Sequence, residues 1–465
     1  MINISPHLRI NIVILHVFLG IAAAYSPLFA FLWASLFLLY SIVQVIKTAN
    51  ATGWAHNSAA YLVGIEVLLR ICDAPLPYEF GKYSVSFIFI LGLIVEKKKQ
   101  SIPLFAVMYM IMLLPSIAVA RYADFFDART AISFNLSGPL SLAVACIYFY
   151  NRVIDKDGFS RMIYFLILPV LSMIVAMIVR LPNLAEIKFT SESNDALTGG
   201  FGPNQVSTIL GAAFFMVFLG WLLNFSITGK RGLDSALGAI FFGYSLFTFS
   251  RGGAVAGVGA ALIAMFVMLR AGESTKQLKR VFKFSVISTV VLLLIVVLID
   301  NISNSALSER YGETIYGKNY KLYEAGIIDE QKGLEFSGRD KLVSAEFEIF
   351  FENPILGVGP GAGIYLRGAE VDKEIMVAHT EFTRLLAEHG IYGVTALIIL
   401  IINPLRLNRK VSPVRRILLF SFTFIAFVTM SHSAMRLAVV GFTFGLAFIN
   451  YTETLNHPLQ RKLSR

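Results

Sequence analysis

AHTEFTRLLAEHGIYGV, residues 378–394, marks the place where a long polar segment passes into an apolar one. His379 stands at the junction, and Glu381, Arg384 and Glu388 follow it into a helix at spacings of three and four. A polar head on an apolar helix is the unit from which a membrane protein is built, and the rest of the chain repeats the apolar half. Runs of about 17 to 25 apolar residues, long enough to cross a bilayer core about 30 Å thick, recur along the whole sequence. Of 465 residues, 56% are hydrophobic and only 15% charged, more apolar surface than a soluble domain can hide. Barrel strands would alternate over about ten residues, and these runs do not. The expected fold class is all-α: a polytopic integral membrane protein of about 12–14 transmembrane helices, with one large extracytoplasmic loop containing short helices.

The spans expected from hydropathy are 10–25, 28–46, 56–72, 82–95, 101–119, 130–150, 161–180, 204–224, 232–249, 253–269, 283–299, 380–402, 416–431 and 437–450. Counted this way, Lys97–Lys99, Arg152/Lys156/Arg161, Lys230/Arg231, the basic segment 270–283, Arg406–Arg416 and Arg461/Lys462/Arg465 all fall on one side. Basic residues mark the cytoplasmic side, so both termini are expected there. The same bias accounts for the net charge of +10 without nucleic acid as a partner, since no basic run is interleaved with aromatics as a single-strand binder needs. The layout divides into an N-terminal bundle of about eleven spans (1–300), a large extracytoplasmic loop (301–378), about three C-terminal spans (379–450) and a cytoplasmic tail (451–465), together one membrane domain. The segment 1–24 has the small residues of a leader peptidase site, and is read as an uncleaved first span. Cys72 and Cys146 fall near opposite faces on this topology, too far apart for a disulfide. No metal-ligand spacing exists.

The long loop holds an amphipathic stretch, DKLVSAEFEIFF at 340–351, and then GVGPGAG at 357–363. Its apolar spacing predicts order, packed over the outer face. The outer side also carries arginines that orientation bias does not require: Arg121, Arg129, Arg180, Arg251, Arg310, Arg339, Arg367, Arg384 and Arg436. Arginine offers a planar, permanently charged fork for phosphate. Arg251, in TFSRGGAVAG, is flanked by Ser250 and two glycines that let a ligand approach the backbone, or it is a snorkelling arginine at a span end. Arg339, in FSGRDKL, either binds an anion or pairs with Asp340 at the surface. His379 at a helix start, neutral near pH 7, is a natural acceptor for the proton of a sugar hydroxyl. The helix end beside it attracts an anion. Glu381, Arg384 and Glu388 read first as an ion-paired face. Asn204 and Gln205, behind Pro203 in GGFGPNQVS, either bind sugar hydroxyls or satisfy backbone groups. His432 and Arg436, in SHSAMR, lie at an outer turn that belongs to the same site or to packing alone.

Together these stretches resemble the O-antigen ligase and O-antigen polymerase family. SRGG (250–253) looks like the family's arginine between adjacent spans. SGRD (337–340) followed by FEIFFENPILGVGPG (347–361) is similar to its loop of an arginine, an aromatic helix, then Asn-Pro and a glycine turn. HTEFTRLLAEHGIYG (379–393) is similar to its histidine-led helix, with Thr380 where the family often has asparagine, and GFGPNQ (200–205) is a looser match to an outer asparagine loop. The resemblance covers about 199–393; the first half matches only in hydropathy and layout.

The resemblance implies a glycosyltransferase of the bacterial inner membrane. Its donor is a glycan on undecaprenyl pyrophosphate, its acceptor a hydroxyl of a lipid A core or another surface glycan, and it uses no cofactor or metal. It implies His379 as the base, Arg251 and Arg339 as the catalytic arginines on the pyrophosphate, and Arg384, Arg436, Asn204 and Gln205 as substrate-binding residues. Membrane lipids are the surrounding partner. A ligase is the leading expectation, a repeat-unit polymerase the alternative within the family, and a polyprenyl-lipid transporter or flippase the alternative outside it. A transporter would place charges or broken spans near the bilayer midplane.

Overall fold

The computed structural model describes residues 5–97, 100–120, 122, 125–182, 195–271, 290–291, 293–298, 300–301, 305, 308, 339–364, 366, 380–408 and 411–453. The fold is almost entirely helical. In chain order the helices are α1 (Pro6–Tyr25), α2 (Pro27–Lys47), α3 (Trp54–Ile71), α4 (Phe80–Val95), α5 (Leu104–Leu113), α6 (Phe125–Phe149), α7 (Lys156–Arg180), α8 (Pro203–Leu222), α9 (Arg231–Phe247) and α10 (Arg251–Arg270). After the long loop come α11 (Arg339–Glu352), α12 (Glu381–Asn408), α13 (Pro413–His432) and α14 (Ala438–Leu446). Their limits lie close to the spans expected from hydropathy; the span expected at 283–299 lies largely outside the described residues.

Eight of the helices among the described residues (α1, α2, α6, α7, α8, α10, α12 and α13) are long and apolar enough to cross a membrane, and α4 and α5 are shorter apolar helices. Local chemistry starts several of them. Ser26 ends α1 and caps α2, its hydroxyl accepting from the Phe29 amide at 3.1 Å, with Pro27 in the first turn. Asp155 and Ser412 cap α7 and α13 in the same way.

α3 sits at the centre. It packs most closely against α7 and α4, and nearly all its side chains are buried, including Glu66. One apolar core runs from Val13 to Tyr451, so the C-terminal helices share it: α14 packs on α6, and α13 on α10. The loops gather at two opposite ends. At one, Arg152 grips Glu96 through two bonds of 2.6 and 3.1 Å and stacks on Tyr148. There a parallel strand pair, β1 (Val153–Asp155) and β2 (Asn450–Thr452), ties the chain's C-terminal part to its middle. The other end carries the candidate site.

The contact that aims this site is a crossing of α8 and α10 with their backbones touching. A Cβ on Gly253 would collide with the Ser207 carbonyl, one on Gly211 with the Gly253 carbonyl, and one on Gly257 with the Gly211 carbonyl. Small residues at i and i+4 allow such close approach in a membrane, where no hydrophobic force pulls helices together. Gly253→Ala is expected to lower stability by about 1–3 kcal/mol through overpacking, read as a lower midpoint in thermal unfolding of the purified protein; an unchanged midpoint would show that the helices cross more loosely.

Candidate functional site

The close crossing brings the first residues of α8 and α10 side by side. Phe249, in the left-handed region at φ 55°, turns the chain sharply so that Ser250 precedes α10 and Arg251 begins it. Ser250 Oγ donates to Asn204 Oδ1 at 2.7 Å, and Ser207 Oγ donates to the Ser250 carbonyl at 2.9 Å. His432, at the end of α13, lies with its ring against Gly252, where any Cβ would meet it. Its Nδ1 is 2.6 Å from the Val428 carbonyl and its Nε2 3.1 Å from Thr208 Oγ1. Asn204, Ser250, Arg251 and His432 therefore share one neighbourhood.

Next to it lies a buried network of charge. Arg70 Nη2 bonds Glu66 at 2.7 Å, the Tyr78 carbonyl at 2.9 Å and the Arg436 carbonyl at 3.2 Å, while Nη1 bonds the Gln205 amide oxygen. The Arg70 guanidinium also stacks on the Tyr78 ring, 3.8 Å from its centroid. Gln205 Nε2 donates to the Tyr78 hydroxyl at 3.1 Å. The remaining Glu66 oxygen accepts from the Ala438 amide at 2.8 Å. Arg384 is held by Glu388 at 2.6 Å, by Glu381 in a second ion pair, and by Asn135 at 3.1 Å. Glu381 also accepts from the Met435 amide at 3.2 Å. The turn between α13 and α14, with the first residue of α14, thus touches the Arg70–Glu66 pair and the Arg384–Glu381 pair. Lys82 is fully buried nearby, its Nζ 5.6 Å from the centre of the Phe134 ring, and no described group accepts a hydrogen bond from it.

The glycine-rich loop 353–361 is a clasp on a broken helix. α12 is interrupted at Gly390, whose φ is 56°. At the break, the Val358 amide donates to the Ala387 carbonyl at 3.1 Å, the Gly359 amide to the Glu388 carbonyl at 2.9 Å, and the Ile391 amide to the Pro354 carbonyl at 2.8 Å. Helix termini leave such groups without partners, and the loop supplies them. A side chain at Gly357 would enter the Glu388 backbone, and one at Gly390 the Ile355 backbone. Tyr122 ties the clasp down by donating to the Pro360 carbonyl at 2.8 Å, and burial together with the Glu388 carboxylate pushes its phenol up to about 12. Below the break, His389 Nδ1 lies 2.6 Å from Ser116 Oγ.

The residues singled out from sequence fall into three groups. Arg251 and Asn204 are neighbours through Ser250, and Gln205 and Arg436 meet through Arg70. Arg384 is not an open phosphate ligand: two carboxylates and Asn135 take up its donors, so the ion-paired reading of Glu381, Arg384 and Glu388 is the one its geometry supports. Gln205 is likewise engaged by Arg70 and Tyr78. His379 lies outside the described residues, as do Arg121, Arg310 and Arg367; of Arg339 only the backbone is described, at the first position of α11. Thr380 follows His379, and its hydroxyl accepts from the Thr383 amide at 3.3 Å, as an N-cap of α12 does. Tyr78, Lys82, Asn135 and Ser116 were missed. Glu66 and Arg70 had a signal, an i,i+4 pair of opposite charge inside an apolar run; Asn135 had none.

Arg384→Met is expected to destabilise the protein by about 3–5 kcal/mol, because it strands two buried carboxylates. Thermal unfolding of the purified protein checks this; a midpoint equal to that of the native chain would show that the two carboxylates find other partners.

Residues 236–398 match the family described as O-Antigen ligase. Comparison with the curated proteins returns no match. The matched segment holds α10, α11, the clasp and most of α12, and so includes Arg251, Arg339, His379 and Arg384. Residues 236–398 thus resemble the O-antigen ligase domain, within a chain whose described residues hold eight helices long and apolar enough to cross a membrane.

Proposed function

We propose that the protein is a ligase-type glycosyltransferase of a bacterial inner membrane, moving a glycan from undecaprenyl pyrophosphate to a hydroxyl of a lipid A core or similar surface acceptor. The observation that carries this reading is the O-antigen ligase match over 236–398, which contains all three residues assigned to the chemistry, His379, Arg251 and Arg339. Positive-inside counting supports placing the site end of the bundle on the outer side.

In this reading His379 takes the proton of the acceptor hydroxyl as the oxygen attacks the anomeric carbon. The bond from that carbon to the pyrophosphate oxygen breaks, and lipid pyrophosphate leaves with the electron pair. Attack opposite a held leaving group inverts the anomeric centre. Arg251, first residue of α10 near its close crossing with α8, is fixed in position before the substrate arrives. A guanidinium preset beside a helix N-terminus stabilises negative charge as it develops on the pyrophosphate. Arg339 is assigned the same task. Asn204 and Arg436 are assigned to sugar or phosphate contacts at the rim. Arg384 and Gln205 are assigned to positioning, since their polar groups serve the network around Glu66 and Glu381.

His379→Ala is expected to lower transfer by about 10²–10⁴-fold, the usual worth of a general base, with membrane insertion and thermal stability unchanged; retained transfer removes it from the mechanism. Arg251→Lys and Arg339→Lys keep the charge but lose the fork, and each is expected to impair transfer strongly in the same assay. Deleting the gene and analysing the surface glycan tests the reading as a whole. Lipid-linked polymer left unattached to its acceptor fits a ligase, single repeat units on the final acceptor fit a polymerase, and a normal surface glycan overturns both.

A further inference from the structure

α11 has three faces where an ordinary surface helix has two. Leu342, Ala345, Glu346 and Ile349 are buried, on the side that packs against α12, where Glu346 accepts from the Thr383 hydroxyl. Lys341, Ser344, Glu348 and Glu352 form an exposed polar face. Val343, Phe347, Phe350 and Phe351, spaced i, i+4, i+7 and i+8, form a third sector that is apolar yet not part of the buried face. Phe351 is 72% exposed and Phe347 38%, with their rings stacked 6.4 Å apart.

The third sector does not end with the helix. Ile355, one turn further on, is 67% exposed. The clasp bond from the Ile391 amide to the Pro354 carbonyl sets Ile355 beside Ile391, which is itself 51% exposed. Ile391 heads the stripe Ile391, Ile398, Ile401 and Leu405, the exposed apolar face of the membrane-spanning helix α12. Exposed apolar residues therefore continue from a helix long and apolar enough to cross a membrane onto an element beside its start. Next to the ridge is a cavity of about 800 Å³ whose lining includes Val119, Ile355, Leu356, Val358 and Leu366, a volume within the about 300–1,000 Å³ of small-molecule sites. Bare aromatics in water would forgo about 25 cal/mol for each Å² of apolar area left hydrated. A helix with a charged face and an aromatic face, joined to a lipid-facing stripe, has the pattern of a segment lying in the membrane interface.

We propose that α11 and the 353–361 loop form an interfacial element seated in the bilayer, with phospholipid acyl chains covering the ridge Phe347–Phe351–Ile355 and the mouth of the cavity behind it. The surface faces hydrocarbon, and its acidic edge, Glu348 and Glu352, faces water. This seating is independent of the transferase reading and concerns where the clasp and the start of α12 sit relative to lipid.

The test uses the full chain in phosphatidylcholine nanodiscs, where both membrane faces are open to solvent. Phe351→Cys and Ile355→Cys are expected to react with a charged, water-soluble maleimide roughly tenfold or more slowly than Ser344→Cys and Glu348→Cys, because the reagent stays out of the acyl region. Cys72 and Cys146 are buried and set the background. In a second measurement, Phe351→Trp in nanodiscs of acyl-chain-brominated phosphatidylcholine is expected to lose more emission than the native chain, whose tryptophans are Trp33, Trp54 and Trp221. Equal labelling of the two faces, or an added tryptophan untouched by the bromine, overturns the proposal.

Discussion

A charge buried away from water is costly unless it meets an opposite charge or a full set of hydrogen bonds, and inside a membrane water cannot supply them. At the site end this protein buries Glu66, Arg70, Glu381, Arg384 and Glu388 together and pairs them through arginine forks. The pairing does more than neutralise. The turn between α13 and α14 offers the Met435 amide to Glu381, the Arg436 carbonyl to Arg70 and the Ala438 amide to Glu66. Three distant parts of the chain are locked by the demand of a few oxygens and nitrogens for partners. Any rearrangement of α3, α12 or that turn would expose an unpaired ion, so the end of the bundle that carries the candidate site is held rigidly.

Two backbone contacts build on this. The glycine crossing of α8 and α10 sets where Arg251 stands, because helices in backbone contact cannot slide without collision. The clasp of 353–361 on Gly390 sets where the first turns of α12 stand, because its hydrogen bonds replace those the break has removed. Together they hold the arginine that opens α10 and the capped start of α12, just after His379, on elements that are fixed before any substrate binds. Preorganisation of this kind is what the proposed transfer would ask of groups that stabilise charge on a leaving pyrophosphate.

Much of the layout was legible. The helices fall close to the apolar runs because crossing a bilayer demands a stretch of fixed length and low charge, a requirement local to each run. The ion-paired spacing of Glu381, Arg384 and Glu388 was legible for the same reason, since i,i+3 and i,i+4 neighbours share a helix face. The partners across the fold were not. Asn135 reaches Arg384 from 249 positions away, and nothing in its surroundings marks it. GVGPGAG reads in sequence as a glycine turn, whereas Gly357 admits the backbone of α12 at Glu388, Gly359 lies against Ser116 and Ala120, and Gly361 lies against α6. Arg384 and Gln205 were both expected to face substrate, because an arginine or amide at a helix end looks the same in sequence whether its donors are spent or open.

The amino-acid order alone thus determined that the chain is a bundle of membrane helices, since hydropathy and helical spacing are properties of neighbours along the chain. Which arginines are neutralised, which glycines are contacts and which loop repairs a broken helix was decided only in three dimensions. Those outcomes depend on what a side chain meets from segments tens or hundreds of residues away, and the energy of a buried charge is set by that company.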